Sequence, residues 1–184
     1  MMLEQKLARL KKIIAKYNSC LVAFSGGVDS TFLLKVAQDV LPKDKVLAVT
    51  ANSPTYPKEE LFLAKGIACH LGVRHKIITT YELKDKKFVS NPVNRCYFCK
   101  YELFTKLKRI ARKFKLNFVV DASSLSDKFD FRPGSIAKRE LKIRSPLIEA
   151  NFTKEDIRKL SRAFGLSTWD KPSLACLASR VPYG

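Results

Sequence analysis

Two kinds of segment are missing from this chain of 184 residues. No apolar run is long enough to span a membrane, and no basic and then apolar leader opens the sequence. We therefore expect a cytoplasmic protein without a membrane partner. The amphipathic pattern over residues 1–17 indicates a helix that covers the edge of a sheet, and an amphipathic membrane anchor is the alternative.

Histidine is scarce, and the cysteines do not have the pattern of a disulfide framework. His70 and His75 are the only histidines, and their places at a predicted helix end and strand start argue against a Cys–His dyad. The five cysteines are odd in number and unevenly spaced, which argues against a disulfide framework. Cys20 and Cys69 lie in a predicted strand and on an apolar helix face, so we expect both to be buried as small hydrophobic side chains.

Acidic residues are also in short supply, with 17 Asp and Glu against 35 Lys and Arg, and the formal net charge is +18. Such a charge predicts attraction to polyanions, which include nucleotides and tRNA. A lysine-rich, solvated surface explains the charge equally well, because the basic residues are scattered along the chain.

Apolar segments and helical patterns alternate along the chain. This order predicts the α/β class, with a parallel twisted sheet, helices on both faces and one domain over residues 1–184. Residues 124–150 are predicted to form a functional loop with a short strand at Leu141–Arg144, and residues 165–184 a C-terminal active-site loop. The predicted strands are Ser19–Ser25, Lys45–Ala51, His75–Thr80 and Asn117–Ala122, and the later predicted helices are Ser30–Val40, Pro57–Leu71, Tyr97–Phe114 and Thr153–Phe164.

The most informative motif is the hexapeptide Ser25-Gly26-Gly27-Val28-Asp29-Ser30, called the phosphate loop below, between the first predicted strand and the helix that follows it. A glycine-rich turn before a helix presents free backbone N–H groups to an anion, and two glycines let the backbone approach a phosphate closely. The loop lacks the lysine of a Walker A motif, so it differs from the ordinary nucleoside-triphosphatase P-loop. The alternative is a glycine turn with only a structural role.

A second motif, Cys96-x-x-Cys99, lies at the start of a long predicted helix. By itself the pair suits a redox site, half of a zinc site, part of an iron–sulfur site or ordinary helix packing. Cys176 is the further cysteine that lies in a polar loop. Arg180 is nearby in the sequence, and a positively charged neighbour lowers the pKa of a thiol. Three cysteines suit a 4Fe–4S cluster with one iron open to an exogenous ligand.

Carboxylates near the phosphate loop are candidate Mg²⁺ ligands. Asp29 lies in the loop, and Asp127 follows the fourth predicted strand, at the sheet edge where ligands bind. Mg²⁺ held there would neutralise a leaving pyrophosphate. We expect Asp121 to cap a turn, and Arg132 is a candidate phosphate clamp with an ordinary surface arginine as the alternative.

Together these segments resemble the LarE-type ATP-dependent sulfur transferases, which are PP-loop ATP pyrophosphatases. The resemblance covers nearly the whole chain, and the Cys176 segment with its Trp-Asp-Lys-Pro lead-in is quite specific. The segments that carry it are Ser25–Ser30, Asn94–Lys100, Asp130–Gly134, Arg144–Leu147 and Trp169–Gly184.

The resemblance implies a PP-loop fold of the adenine-nucleotide α-hydrolase type and a reaction that uses ATP and Mg²⁺. A carboxylate of a pyridinium biscarboxylic acid mononucleotide would be adenylated with release of pyrophosphate. Sulfur delivered to the acyl-adenylate would then leave a thiocarboxylate, a step in the synthesis of the nickel-pincer nucleotide cofactor. Members with three cysteines that match Cys96, Cys99 and Cys176 carry a 4Fe–4S cluster that binds an extra sulfide, whereas members with one cysteine sacrifice its sulfur.

Motifs and resemblance together predict a complete site. The catalytic residues are Cys176 and Asp29; the ATP contacts are Ser25, Gly26, Gly27, Asp29, Ser30, Ala51, Ser123 and Arg132; the 4Fe–4S ligands are Cys96, Cys99 and Cys176; the Mg²⁺ ligands are Asp29 and Asp127; and the substrate contacts are Arg95 and Arg180.

Two features depart from the family pattern. Asp121-Ala122-Ser123-Ser124 stands where members have Asp-Gly-Ser/Thr-Asn, and members continue past the equivalent of Pro182–Gly184 into an oligomerising, substrate-binding region. We expect that region to be missing here and a homo-oligomer or a partner chain to supply it. Two other functions stay open, a PP-loop tRNA thiolase with a 4Fe–4S cluster and a nucleotide-binding subunit without activity of its own.

Overall fold

The computed structural model describes residues 2–129, 133–174 and 176–183, and its centre is a four-stranded sheet. The strands are Cys20–Ala23 (β1), Val46–Asn52 (β2), Arg74–Thr79 (β3) and Phe118–Val120 (β4). They lie in the order β3-β2-β1-β4, and every pairing between them is parallel. The α-helices are Leu3–Tyr17 (α1), Val28–Val40 (α2), Lys58–His70 (α3), Lys86–Val89 (α4), Arg95–Lys113 (α5), Gly134–Glu140 (α6), Pro146–Glu149 (α7) and Lys154–Ala163 (α8).

Helices cover both faces of the sheet because the side chains of β1 alternate between two apolar clusters. Cys20 and Val22 join the larger cluster, which contains buried residues of α1, α2, α3 and α8. Leu21 joins the smaller cluster, which is formed mainly by α5 and by residues of β2 and β4. The predicted fold class, a parallel sheet with helices on both faces, is confirmed.

Helix α1 confirms the amphipathic pattern of the first residues. Leu10, Ile14 and Tyr17, at the spacing i, i+4, i+7, are its buried residues. The helix contacts α2 and α7, and the Tyr17 ring lies 4.6 Å from the Phe118 ring of β4, an outer strand of the sheet. Within the described ranges, no helix combines the length and the apolar character that a membrane crossing requires.

Residues 124–150 differ most from expectation. The predicted loop contains α6, α7 and a 3-10 helix at Leu125–Phe129. The predicted strand at Leu141–Arg144 is reduced to a single parallel bridge between Arg144 and Val120. Helices of seven and four residues are too short for an apolar period to mark them in the sequence.

The sheet reverses its order at β1, which has β2 on one side and β4 on the other. In an open parallel sheet, such a reversal leaves a crevice at the carboxyl ends of the strands, and ligands bind there. The phosphate loop follows β1 and residues 121–127 follow β4, so both lie at this crevice. The assignment of residues 1–184 to one domain stays a prediction.

Candidate active site

An open cavity of about 480 Å³ lies at the crevice. Its wall is formed by the phosphate loop, the end of β2, residues 121–123 after β4, the first turns of α5, residues 171–174 and Cys176. The wall brings together most of the predicted site residues, namely Ser25, Gly27, Asp29, Ser30, Ala51, Arg95, Cys96, Cys99, Ser123, Asp127 and Cys176.

The phosphate loop is shaped by one glycine and by its own serines. Gly26 has a φ of +70°, and a Cβ atom there would lie 3.0 Å from the Cα atom of Ala64, so a larger residue fits poorly. The Ser30 hydroxyl donates to the Gly27 carbonyl at 3.1 Å and lies 3.2 Å from the Ser25 hydroxyl. Because α2 begins directly after Gly27, the N–H groups of its first turn lie at the cavity wall as an anion site.

Asp29 is a largely buried carboxylate in the first turn of α2. Burial raises the pKa of Asp29, while the hydrogen bond and the charge of Lys154 lower it. Its Oδ2 atom accepts from Lys154, whereas its Oδ1 atom is buried and meets no hydrogen-bond partner among the described residues. An unpaired carboxylate oxygen is costly to bury unless a cation or a donor reaches it. Asp127 lines the same cavity and interacts electrostatically with Asp29, so this pair fits Mg²⁺.

Two lysines that the sequence analysis did not single out reach the phosphate loop from distant parts of the chain. Lys154 comes from the start of α8, and Lys171 donates to Glu60 Oε2 at 2.7 Å and to the Gly26 carbonyl at 3.4 Å. They place beside the loop the positive charge that a Walker A motif takes from its own lysine. Lys171 lies in the Trp-Asp-Lys-Pro segment, a signal that could have found it, whereas no local pattern marks Lys154.

The three predicted cluster ligands lie on one cavity wall. Cys96 and Cys99 are in the first turns of α5, and a hydrogen bond of 3.0 Å from Leu177 N to the Thr55 carbonyl holds the neighbouring Cys176 segment against the residues after β2. Burial raises the pKa of the Cys99 thiol to about 11, and the nearby Cys176 and Cys96 contribute to the increase. The structure therefore brings the three thiols to the same cavity.

This donor set fits an iron–sulfur cluster in kind, because cysteine thiolates are the ligands that hold such clusters in proteins. In the part of the chain that the structure describes, no three His, Cys, Asp or Glu side chains are arranged to hold a metal ion. The 4Fe–4S cluster stays a prediction.

The other two cysteines differ from each other. Cys20 is buried in β1, as predicted, and burial raises the pKa of its thiol to about 12. Cys69 is exposed, and the prediction that it is buried was wrong. Ala64 and Ala68 occupy the buried side of α3, so Cys69, next along the chain, falls on the solvent side.

Arg95, the first residue of α5, is buried although it is charged. One terminal nitrogen donates to Asn91 Oδ1 at 2.5 Å, and the guanidinium lies 4.6 Å from the centre of the Tyr183 ring. Asn91 in turn donates to the Pro182 carbonyl. The start of α5 is therefore joined to residues 182–183.

Ser123 belongs to a polar network after β4. Its hydroxyl donates to Asp121 Oδ2 at 2.7 Å and accepts from Lys138 at 2.7 Å. Asp121 also pairs with Lys138 at 3.0 Å and accepts from the Ser145 hydroxyl at 2.5 Å. The Asp121 carboxylate thus ties β4 to α6 and α7. The sequence analysis expected it only to cap a turn.

Two of the predicted residues, Gly26 and Arg180, are not among the residues that line this wall. Arg180 lines a neighbouring cavity of about 610 Å³, together with Lys58 and Glu59 of α3. Gly26 contributes its carbonyl to Lys171. Arg132 lies outside the described residues. The roles assigned to all the site residues stay predictions.

Comparison with known proteins supports the family assignment. The sequence profile of the NAD synthase family matches residues 2–93, which include the phosphate loop. The chain is 44% identical over 183 residues to the uncharacterized protein slr1717 of Synechocystis sp., covering 100% of this chain and 68% of that protein. It is 38% identical over 182 residues to pyridinium-3,5-bisthiocarboxylic acid mononucleotide synthase of Lactiplantibacillus plantarum, covering 99% and 66%. The chain therefore spans about two thirds of the length of these relatives.

The fold is similar to that of an NMN synthetase from Francisella tularensis, with a TM-score of 0.73 at 15% sequence identity. This likeness covers 94% of this chain and 76% of the other. At such low identity it shows the shared α/β fold alone.

Proposed function

Since the chain belongs to the NAD synthase family of PP-loop domains, we propose that it is an ATP-dependent sulfur transferase acting on a carboxylate of a pyridinium mononucleotide. The observation that carries the proposal is that one cavity wall contains both a phosphate loop and three cysteine thiols. The substrate class comes from the name of the Lactiplantibacillus plantarum relative, a synthase of a bisthiocarboxylic acid mononucleotide.

The first half-reaction activates the carboxylate. A carboxylate oxygen attacks the α-phosphorus of ATP, the bond from that phosphorus to the bridging oxygen of the β-phosphate breaks, and pyrophosphate leaves with the electron pair. The phosphate loop and the first turn of α2 bind the phosphates, and Lys154 and Lys171 place two positive charges beside them. Asp29 and Asp127 would hold Mg²⁺, which neutralises the charge of the leaving pyrophosphate. We assign Ala51 and Ser123 to the adenosine.

The second half-reaction delivers sulfur. A sulfur nucleophile attacks the carbonyl carbon of the acyl-adenylate, the bond from that carbon to the AMP oxygen breaks, and AMP leaves a thiocarboxylate behind. Cys96, Cys99 and Cys176 would hold a 4Fe–4S cluster, and an extra sulfide bound to it would supply this sulfur. The raised pKa keeps Cys99 protonated at neutral pH in the metal-free protein, so cluster binding would release its proton.

Further parts of the proposal rest on the sequence. Arg95 contacts the substrate in the main cavity, and Arg180 contacts it from the neighbouring one. Arg132 clamps a phosphate. Residues 165–184 act as the active-site loop, a homo-oligomer or a partner chain completes the substrate site, and the protein works in the cytoplasm.

The reaction is tested under anaerobic conditions with ATP, Mg²⁺, a sulfide source and pyridinium-3,5-biscarboxylic acid mononucleotide. We expect pyrophosphate and AMP to form in equal amounts only when this acceptor is present, and mass spectrometry to show exchange of oxygen for sulfur in the acceptor. Pyrophosphate release that does not depend on the acceptor, or the lack of any sulfur-containing product, would contradict the proposal.

The cluster is tested separately, by reconstitution with iron and sulfide. Single Cys→Ser variants at positions 96, 99 and 176 should each lose iron and visible absorbance, while Cys69→Ser, a matched change at an exposed thiol, should retain both. If Cys176→Ser still holds a full cluster, the three-cysteine assignment fails.

A further inference from the structure

Two buried groups of opposite charge line the active-site cavity without pairing to each other. Glu82 is 2% exposed and Arg95 is 4% exposed. No ion pair joins them or connects either one to another charged side chain among the described residues. Buried charges are normally paired, because an unpaired charge is costly to remove from water.

Glu82 lies in the short 3-10 helix Glu82–Lys84, just after β3. Its Oε1 atom accepts hydrogen bonds from the hydroxyls of Ser53 and, at 2.8 Å, Thr55. Burial raises the pKa of Glu82, but the hydrogen bonds from Ser53, Thr55 and Thr80 together hold that pKa below its ordinary value, so the group is an anion at neutral pH. Its Oε2 atom is buried and has no hydrogen-bond partner in the described ranges.

Arg95 is the complementary case. Its contacts with Asn91 and the Tyr183 ring involve neutral groups, which leave its positive charge without an anion. Its Nε atom is also buried and finds no hydrogen-bond acceptor in the described part of the chain. One wall therefore contains an anion with a spare acceptor atom and a cation with a spare donor.

We propose that Glu82 and Arg95 form a zwitterion subsite, in which Glu82 faces the ring cation of a pyridinium carboxylate and Arg95 binds its carboxylate. This subsite deepens the proposed function and rests on it. A simple carboxylate would pair with Arg95 and leave Glu82 unpaired, and a simple cation would pair with Glu82 and leave Arg95 unpaired. A pyridinium carboxylate carries both charges and pairs with both residues. Cys96 follows Arg95 directly in α5, so the carboxylate bound by Arg95 lies on the same wall as the thiols.

The test uses two small probes of the same shape, N-methylnicotinate and 3-methylbenzoate. Both carry a carboxylate, but only the first has a positively charged ring. Their dissociation constants are measured by ligand-observed NMR, without ATP, on the wild-type chain and its variants. We expect the wild type to bind N-methylnicotinate about tenfold more tightly, as one favourable charge contact would give.

The variants separate the two charges. Glu82→Gln should reduce the preference to about twofold or less, Arg95→Gln should weaken both probes by similar factors, and Glu155→Gln, an exposed control on α8, should change neither. Equal binding of both probes by the wild type, or a preference that survives Glu82→Gln, overturns the subsite. If Glu82→Gln does not fold, Glu82→Asp, which withdraws the carboxylate, replaces it, and an unchanged preference there overturns the subsite too.

The same measurements distinguish this proposal from the proposed function. Pyrophosphate release with the mononucleotide, but no Glu82-dependent preference, would overturn the subsite alone. A Glu82-dependent preference without any sulfur transfer would support the subsite and contradict the reaction.

Discussion

The two ends of the active-site cavity are built in different ways. The phosphate end is one continuous hexapeptide between β1 and α2, and it lies within the residues 2–93 that the family profile matches. The cysteine end joins the start of α5 to Cys176, and both parts lie outside that match. The backbone that we assign to phosphate binding thus lies within the profile match, and the side chains that we assign to sulfur lie outside it, in a part that the two relatives also match.

The ends also differ in how their charges are balanced. At the phosphate end, Lys154 pairs with Asp29 and Lys171 pairs with Glu60. At the cysteine end, Glu82 and Arg95 have no charged partner among the described residues. Charges at the first end are compensated within the chain, and our proposal assigns those at the second to the substrate.

The largest effect is expected at the phosphate end, from Asp29→Asn. The amide keeps the shape of the side chain but removes the charge that would hold Mg²⁺, so pyrophosphate release should fall about 10²–10³-fold. Steady-state pyrophosphate formation measures it, with Asp39→Asn as control, since Asp39 pairs with Lys35 on the outer side of the same helix. Undiminished activity would remove Asp29 from the mechanism.

The cysteine end should show a smaller effect, in thiol reactivity. The pKa of Cys99 is raised from 9.0 to about 11. At pH 8 its thiolate fraction should therefore be about a hundredfold below that of an unshifted thiol, and alkylation should speed up as the pH rises toward 11. Iodoacetamide rates on metal-free, single-cysteine variants measure this, with the exposed Cys69 for comparison. Equal rates at pH 8 would contradict the burial of Cys99.

A stability measurement sharpens the contrast at the phosphate end. Gly26→Ala places a Cβ atom at a positive φ and close to Ala64. The free energy of unfolding, measured in urea, should therefore fall by about 1–3 kcal/mol. Gly66→Ala is the matched change, because no atom lies within 4 Å of its added Cβ, and it should gain about 0.5–1 kcal/mol in the helix. If the two variants are equally stable, the loop is not constrained at Gly26.

The smallest effect concerns the net charge of +18, which belongs to neither end. If this charge is a solvated surface, tRNA should bind weakly, without preference, and lose affinity steeply as salt is raised. Titrations at several salt concentrations decide the point. Tight binding that resists salt and selects one tRNA would favour the tRNA thiolase that the sequence left open.

The same contrast separates what the sequence could predict from what it could not. Strand, phosphate loop and helix are contiguous, so their pattern located them, and the three cysteines stood out by the C-x-x-C spacing and by the polar loop around Cys176. Lys154, Lys171 and Glu82 are common residue types whose importance arises only from tertiary contacts. Cys69 was misplaced because an apolar period cannot tell which of two adjacent positions, Ala68 or Cys69, faces the core.

The contact between Lys171 and the Gly26 carbonyl connects the two ends of the cavity mechanically. Pro172, directly after this lysine, restricts the backbone, and residues 171–174 line the cavity wall together with Cys176. A shift of the phosphate loop would therefore displace Lys171, which precedes the Cys176 thiol by five residues. Nucleotide binding at the loop would then change the position of the thiol before the sulfur step.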